Sequence, residues 1–184
     1  TSAAIGTCGG TAGEVTDAFC YPFSPGSAVP PGYLSLSGVG HDAAGNVALA
    51  GTLYGQVDFD GAVASVGFPQ TYRAFVAMVS PQGAGLWVNH NSFACDFGPF
   101  PHLARDASGG PLFSFICAID PGTSVIYHLE QLTPGGSTAW QATPFSSASP
   151  PTLSLDALSR SSMGEVSFAV GDFSSQSLQR YSAG

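Results

Sequence analysis

Residues 42–87 read DAAGNVALAGTLYGQVDFDGAVASVGFPQTYRAFVAMVSPQGAGLW, and the period of this stretch decides the fold. Val47, Leu49, Gly51 and Leu53 alternate with small or polar neighbours, as do Val57 and Phe59, and Val76 and Met78. Val166, Phe168 and Val170 repeat the pattern further on. Alternating β-branched and aromatic residues between Gly, Pro, Asn and Asp mark strands with one buried face. Asp42 is placed to accept hydrogen bonds from its own turn, and Gly45 to take the positive φ that closes it. Helix has little to compete with. The chain holds 24 Gly and 14 Pro in 184 residues and no Lys. No stretch longer than about 10 residues places apolar side chains at i, i+3, i+4 and i+7.

The stretch also recurs. Asp42-Ala-Ala-Gly-Asn-Val47 aligns with Asp106-Ala-Ser-Gly-Gly-Pro111 and with Ser161-Ser-Met-Gly-Glu-Val166, each followed by a short apolar run. A second element is out of phase with it: Phe75 to Pro81 then Gly85-Leu-Trp87 matches His128 to Pro134 then Thr138-Ala-Trp140. A third copy begins at Leu178 to Ser182, and a weaker turn stands at Gly13-Glu-Val15. A period of roughly 40 to 60 residues built from short strands and two turns is the sequence form of a β-propeller blade. Trp87 and Trp140 hold equivalent positions, which assigns them to packing between blades.

The order D-x-x-G-N-V, a small-residue strand, A-G-T-x-x-G-x-V-D-F-x-G, F-V-A-x-V-S-P-x-G and L-W resembles the SBBP-type bacterial β-propeller repeat of secreted and cell-surface proteins of myxobacteria and their relatives. The resemblance covers residues 34 to 184, is close in the first copy and degenerate in the others, and brings no catalytic residues with it. The expected fold is all-β, with propeller-like repeats of short antiparallel strands in about 2.5 to 3.5 blades. Its units are 34–98, 99–151 and a partial 152–184. A closed propeller needs four or more blades. Residues 1–33, with Cys8 and Cys20, therefore supply closing strands, or another chain completes the ring, or the sheets form an open stack.

Twelve acidic residues against four arginines give a net charge of −8, which argues against a nucleic-acid partner, since Arg73, Arg105, Arg160 and Arg180 make no basic stripe. No run approaches the ~18 apolar residues of a membrane span. The N-terminus lacks the charged-then-apolar pattern of a signal peptide, so the chain reads as soluble and already processed. Cys8, Cys20, Cys95 and Cys117 form an even set without a C-x-x-C pair, which suits disulfides in a secreted or cell-surface protein; four cysteines allow three pairings, of which the local one joins Cys8 to Cys20 and Cys95 to Cys117.

Asp58-Phe-Asp60-Gly resembles part of a calcium loop but lacks the later oxygen ligands, so Asp58 and Asp60 are weak metal candidates and no cofactor is expected. His41, His90, His102 and His128 are the general-base candidates, without a G-x-S-x-G elbow or a cysteine in a nucleophile context. The irregular stretch Phe93-Ala-Cys-Asp-Phe97-Gly-Pro-Phe100-Pro-His102 interrupts the repeat, and insertions between blades cluster on a binding face. Phe93, Phe97, Phe100 and His102, with Tyr54 and Tyr72, are the candidate binding residues. Tyr54, Tyr72, Tyr127 and Tyr181 read as surface aromatics. The expected function is non-enzymatic: binding of a protein chain or a glycan, or assembly as a homo-oligomer. The alternative is an extracellular glycoside or ester hydrolase with a site assembled between blades.

Overall fold

A computed structural model describes residues 21, 23–24, 33–66, 72–90, 101–105, 110–120, 124–147, 154–161, 165–171 and 176–182, and most side chains among them up to 143. Among the described residues there are thirteen strands and no helix: β1 Phe23–Ser24, β2 Tyr33–His41, β3 Val47–Phe59, β4 Ala62–Val66, β5 Arg73–Val79, β6 Gly85–His90, β7 His102–Arg105, β8 Pro111–Asp120, β9 Ser124–Leu132, β10 Thr138–Ser147, β11 Ser154–Arg160, β12 Glu165–Gly171 and β13 Gln176–Ser182. Among the described residues no helix is long and apolar enough to cross a membrane.

The strands form three antiparallel sheets. In the first, β2, β3, β5 and β6 lie side by side, and the far half of β3 also pairs with β1 and β4. The second runs β7-β8-β9-β10 and the third β11-β12-β13. Sequence-adjacent strands pair because their turns are short. At Asp42, Ser80, Thr133 and Ser161 the backbone N–H donates to the carbonyl four residues on, at 2.8, 2.8, 2.7 and 2.9 Å. In each case the side-chain oxygen also accepts from the amide of that fourth residue. Gly45, Gly83 and Gly136, three residues into the first three of these turns, have φ of 83, 85 and 84°. This is the three-residue hairpin loop that ends in a left-handed residue. The D-x-x-G and S-P-x-G motifs are thus one turn used twice per repeat. The bond from Ala44 N to Asp42 Oδ1, at 2.8 Å, is the expected Asx contact.

The sheets stack face on face. Ala50, Ala74 and Val76 of the first sheet meet Phe113, Phe115 and Leu132 of the second, with every one of these buried. Leu112, Tyr127 and Leu129 on the opposite face of the second sheet meet Val166 of the third. Each fully buried large apolar side chain in such a layer contributes about 1.5–3 kcal/mol. The alternation in β3 and β5 was expected to bury one face only. Both faces are covered: Ala48, Ala50, Ala74 and Val76 on one, Leu53, Phe75, Ala77 and Val79 on the other. The second sheet covers the first of these faces, and Phe59, Ala64 and Val66 of the first sheet's own β3–β4 ribbon pack on the other, so both carry apolar residues and the small ones had read as spacers. Val47–Leu53 and Val57–Phe59, which read as separate runs, are one 13-residue strand. Its pairing partners change at Gly55, whose φ is 119°.

β7 touches both β2 and β11, so the leading strands of the three sheets are neighbours. Ser37 Oγ donates to Pro101 O at 2.6 Å, and a Cβ on Gly38 would stand 3.0 Å from Leu103 Cβ.

Candidate docking face

Trp87, on β6, shows how one sheet grips the next. Its Nε1 donates to Pro134 O at 2.8 Å, and Asn89 Nδ2 donates to Gly136 O at 2.8 Å. Both acceptors sit in the turn between β9 and β10, in the second sheet. The indole lies on Gly136, where a Cβ would be 2.5 Å from Trp87 Cδ2. Trp87 and Trp140 are both half-buried, Trp87 against the cluster between the first and second sheets and Trp140 against that between the second and third. They are clasps at the rims of the layers rather than buried centres.

The matching turns put the sheets into register with one another. Val47, Leu49 and Val79 of the first sheet correspond to Pro111, Phe113 and Leu132 of the second, and Val47 corresponds to Val166 of the third. Phe113 and Leu132 face the sheet before them, and so does Val166. Ala50 and Val76 face the sheet after, as do Leu112 and Leu129. The first and second sheets therefore each turn one face, the trailing one, to the sheet after, and the second and third each turn one, the leading one, to the sheet before. The leading face of the first sheet carries Leu34, Val47, Leu49, Phe59 and Val79 around a groove of about 390 Å³. Leu36, 55% exposed, and Pro81 form part of its lining.

Tyr21 stands in the same groove. Its ring packs on Phe59 with centroids 5.1 Å apart, and its hydroxyl donates to Gly83 O at 3.0 Å. Gly83 occupies in the first sheet the place of Gly136 in the second, so Tyr21 meets the turn where Asn89 meets the next one. Partial burial raises the Tyr21 phenol pKa, with the charge of Asp60 adding to the rise.

The other candidates fall in different places. Phe93, Phe97, Phe100, Cys8, Cys20 and Cys95 lie outside the described residues, as does the weak turn at Gly13. Cys117 stands in β8 with its side chain outside the description. His102 is half-buried in β7, opposite Ser114. Tyr54 and Tyr127 are not surface aromatics: both are buried, because β3 and β9 are covered on two faces. Tyr72 packs edge-on against exposed Tyr33 with centroids 5.7 Å apart, and lies 5.9 Å from Tyr54. Asp58 Oδ1 accepts from Gly61 N at 2.7 Å, in a turn where Asp60 takes a φ of 54°. Among the described residues no three His, Cys, Asp or Glu side chains gather to hold a metal ion.

His128, a general-base candidate by sequence, is joined in the structure by Glu130. Two residues apart on β9, they share a face, with His128 Nε2 3.3 Å from Glu130 Oε2. Thr138 Oγ1 donates to the other carboxylate oxygen, and the Phe115 ring lies 4.8 Å from the imidazole. They replace Phe75 and Ala77 of the first sheet. At 1% and 4% exposure, the pair is closed in the layer between the first and second sheets. Buried side by side, the two polar groups satisfy one another, and removing either alone leaves the other without that partner inside the layer.

No protein-family model matches the chain, and no curated protein matches it.

Proposed function

We propose that this chain is a non-enzymatic module of β-propeller-like repeats, secreted or displayed at the cell surface, that works by packing against another protein. One observation carries the reading: the face that joins sheet to sheet inside the molecule is presented by the first sheet as an apolar groove around Leu34, Leu36, Leu49 and Val79. The meander order of the second and third sheets and the SBBP-like motifs of residues 42–87 support blades as the repeating unit. The even cysteine count and the absence of Lys support the extracellular assignment. The pairing of His128 with Glu130 speaks against hydrolysis at that site, since a general base has to come within hydrogen-bond reach of substrate and this one is closed between two sheets. The test is a turnover screen of the purified chain against glycoside and ester substrates. No turnover is expected. Turnover that disappears in His128→Ala or in any single Asp or Glu variant overturns the non-enzymatic reading.

A further inference from the structure

We infer that the ribbon formed by β4 and the far half of β3 is the cap of the stack: it stands on the first sheet where a preceding sheet would stand, and it keeps a second copy of this chain from stacking there. The inference goes beyond the module reading above and does not depend on it, since the ribbon covers the face whether or not a partner uses the groove.

Position is the first argument. His128, Glu130 and Leu132 of β9 lie in the layer between the first and second sheets. Phe75, Ala77 and Val79 of β5 hold the same places one sheet earlier, and they are buried with Phe59, Ala64 and Val66 of the ribbon. The groove of Leu34, Leu36 and Leu49 is what the ribbon leaves of this face. The ribbon is also peculiar to the first sheet. Among the described strands, β8 is followed by β9 and β12 by β13, whereas β4 is interposed between β3 and β5, and β3 changes partners at Gly55 to pair with it. End units of stacked repeats are atypical in this way, because one of their faces has no neighbour to bury it.

The two faces of the ribbon fit the same role. Val57 pairs with Ala64 and Phe59 with Ala62 on the side towards the sheet, while Gln56 pairs with Ser65 and Asp58 with Val63 on the side away from it. Val57, Phe59 and Ala64 are buried and Ala62 half-buried; Gln56, Val63 and Ser65 are exposed and Asp58 half-exposed. A terminal cap needs a mostly polar outer face of this kind, and a further sheet could cover it only by stripping water from Gln56 and Asp58. The ribbon is held down at two places. Tyr21 packs on Phe59 with ring centroids 5.1 Å apart. At the start of β6 a Cβ on Gly85 would run into Phe59 O and stand 2.7 Å from Ala62 Cβ, so the absence of a side chain there lets the ribbon lie close.

The experiment is light scattering after size exclusion on the full 184-residue chain, across a concentration series, with hydrogen exchange read over residues 57–66. Gly85→Ala forces the ribbon off β6 without removing an apolar side chain, and Phe59→Ala loosens it without adding one. In each, exchange over 57–66 should quicken by about 10-fold or more. The mass should then rise with concentration above that of the wild-type chain, 18.6 kDa for a monomer, while the circular dichroism spectrum stays all-β. Leu49→Glu, added to either variant, charges the uncovered face and should restore the wild-type mass. Gly61→Ala, at the tip of the ribbon with nothing within 4 Å of the new methyl, should keep the wild-type mass throughout. Ribbon variants that exchange faster yet keep the wild-type mass overturn the cap, as does a gain in mass that Leu49→Glu does not reverse. Unchanged exchange over 57–66 in both variants overturns the seating on which the cap depends, and loss of the all-β spectrum in both makes the ribbon part of the core rather than a separable cap. None of these outcomes bears on the turnover screen, so the module reading stands or falls separately.

Discussion

Gly136→Ala measures how tightly the sheets are clasped. The substitution has two costs that can be separated. Gly136 has a φ of 84°, and an L-residue pays about 1–2 kcal/mol for that left-handed backbone. The new Cβ would also stand 2.5, 2.7 and 2.8 Å from Cδ2, Cε3 and Cγ of Trp87. An ordinary contact begins near 3.4 Å, so the indole has to shift by nearly an ångström, which strains its 2.8 Å bond to Pro134 O. Overpacking of this size costs about 1–3 kcal/mol, and the lost hydrogen bond about 1 more. The expected total is about 3–6 kcal/mol, a large share of the 5–15 kcal/mol that stabilises a typical domain. Gly61→Ala supplies the control, because φ is 105° there and no atom lies within 4 Å of the added methyl. It should show only the backbone cost. Urea unfolding followed by circular dichroism gives both values, and Gly136→Ala in a Trp87→Ala background closes the cycle. In that background the excess should vanish. Equal costs for Gly136→Ala and Gly61→Ala, with Trp87 present, would refute the clasp.

The remaining expectations concern the polar groups inside the stack. Burial raises the Tyr127 phenol far above its ordinary pKa near 10, with a hydrogen bond to Ser114 offsetting part of the rise. The folded state holds that proton more tightly than the unfolded chain, so its contribution is complete below about pH 10 and is lost as pH rises towards the folded value. One unit above pH 10 the loss is about 1.4 kcal/mol, and Tyr127→Phe should flatten the alkaline limb of an unfolding-versus-pH curve. An unchanged alkaline limb in that variant would place the ionisation elsewhere. Glu130→Ala leaves His128 and Thr138 without their carboxylate and should destabilise by about 3 kcal/mol in denaturant titration, whereas His128→Phe with Glu130→Leu should recover most of it. Gly51→Ala would set a Cβ 2.1 Å from Ser35 O and 2.9 Å from the Phe75 ring, so β2 has to leave β3. Faster hydrogen exchange across residues 33–41, with β8 and β9 unchanged, is the expected signature.

The parts of this fold that were legible in sequence are the local ones. Period two at Val47–Leu53 and Gly-centred turns are consequences of backbone geometry within a few residues, and Asp42 with Gly45 follows from turn chemistry alone. The two-sided burial of β3 and β5 was not legible, because Ala50 and Ala74 read as small polar-face residues until the second sheet is known to cover them, and Ala77 until the β3–β4 ribbon is. Tyr54 and Tyr127 were misplaced for the same reason. The pairing of His128 with Glu130 was legible in their spacing of two on a strand, which puts both on one face. The groove is a different case. Alternation identifies two faces of a strand but does not say which neighbour each one meets. That polarity emerges only when Phe113, Leu132 and Val166 are seen to look back towards the preceding sheet while Ala50 and Leu112 look forward. Once the direction is known, the positions Val47, Leu49 and Val79 acquire a meaning that their own surroundings do not give them. The same directional rule that orders the second and third sheets gives the first sheet a leading face lined by Leu34, Leu49 and Val79, on which Tyr21 of the same chain is seated.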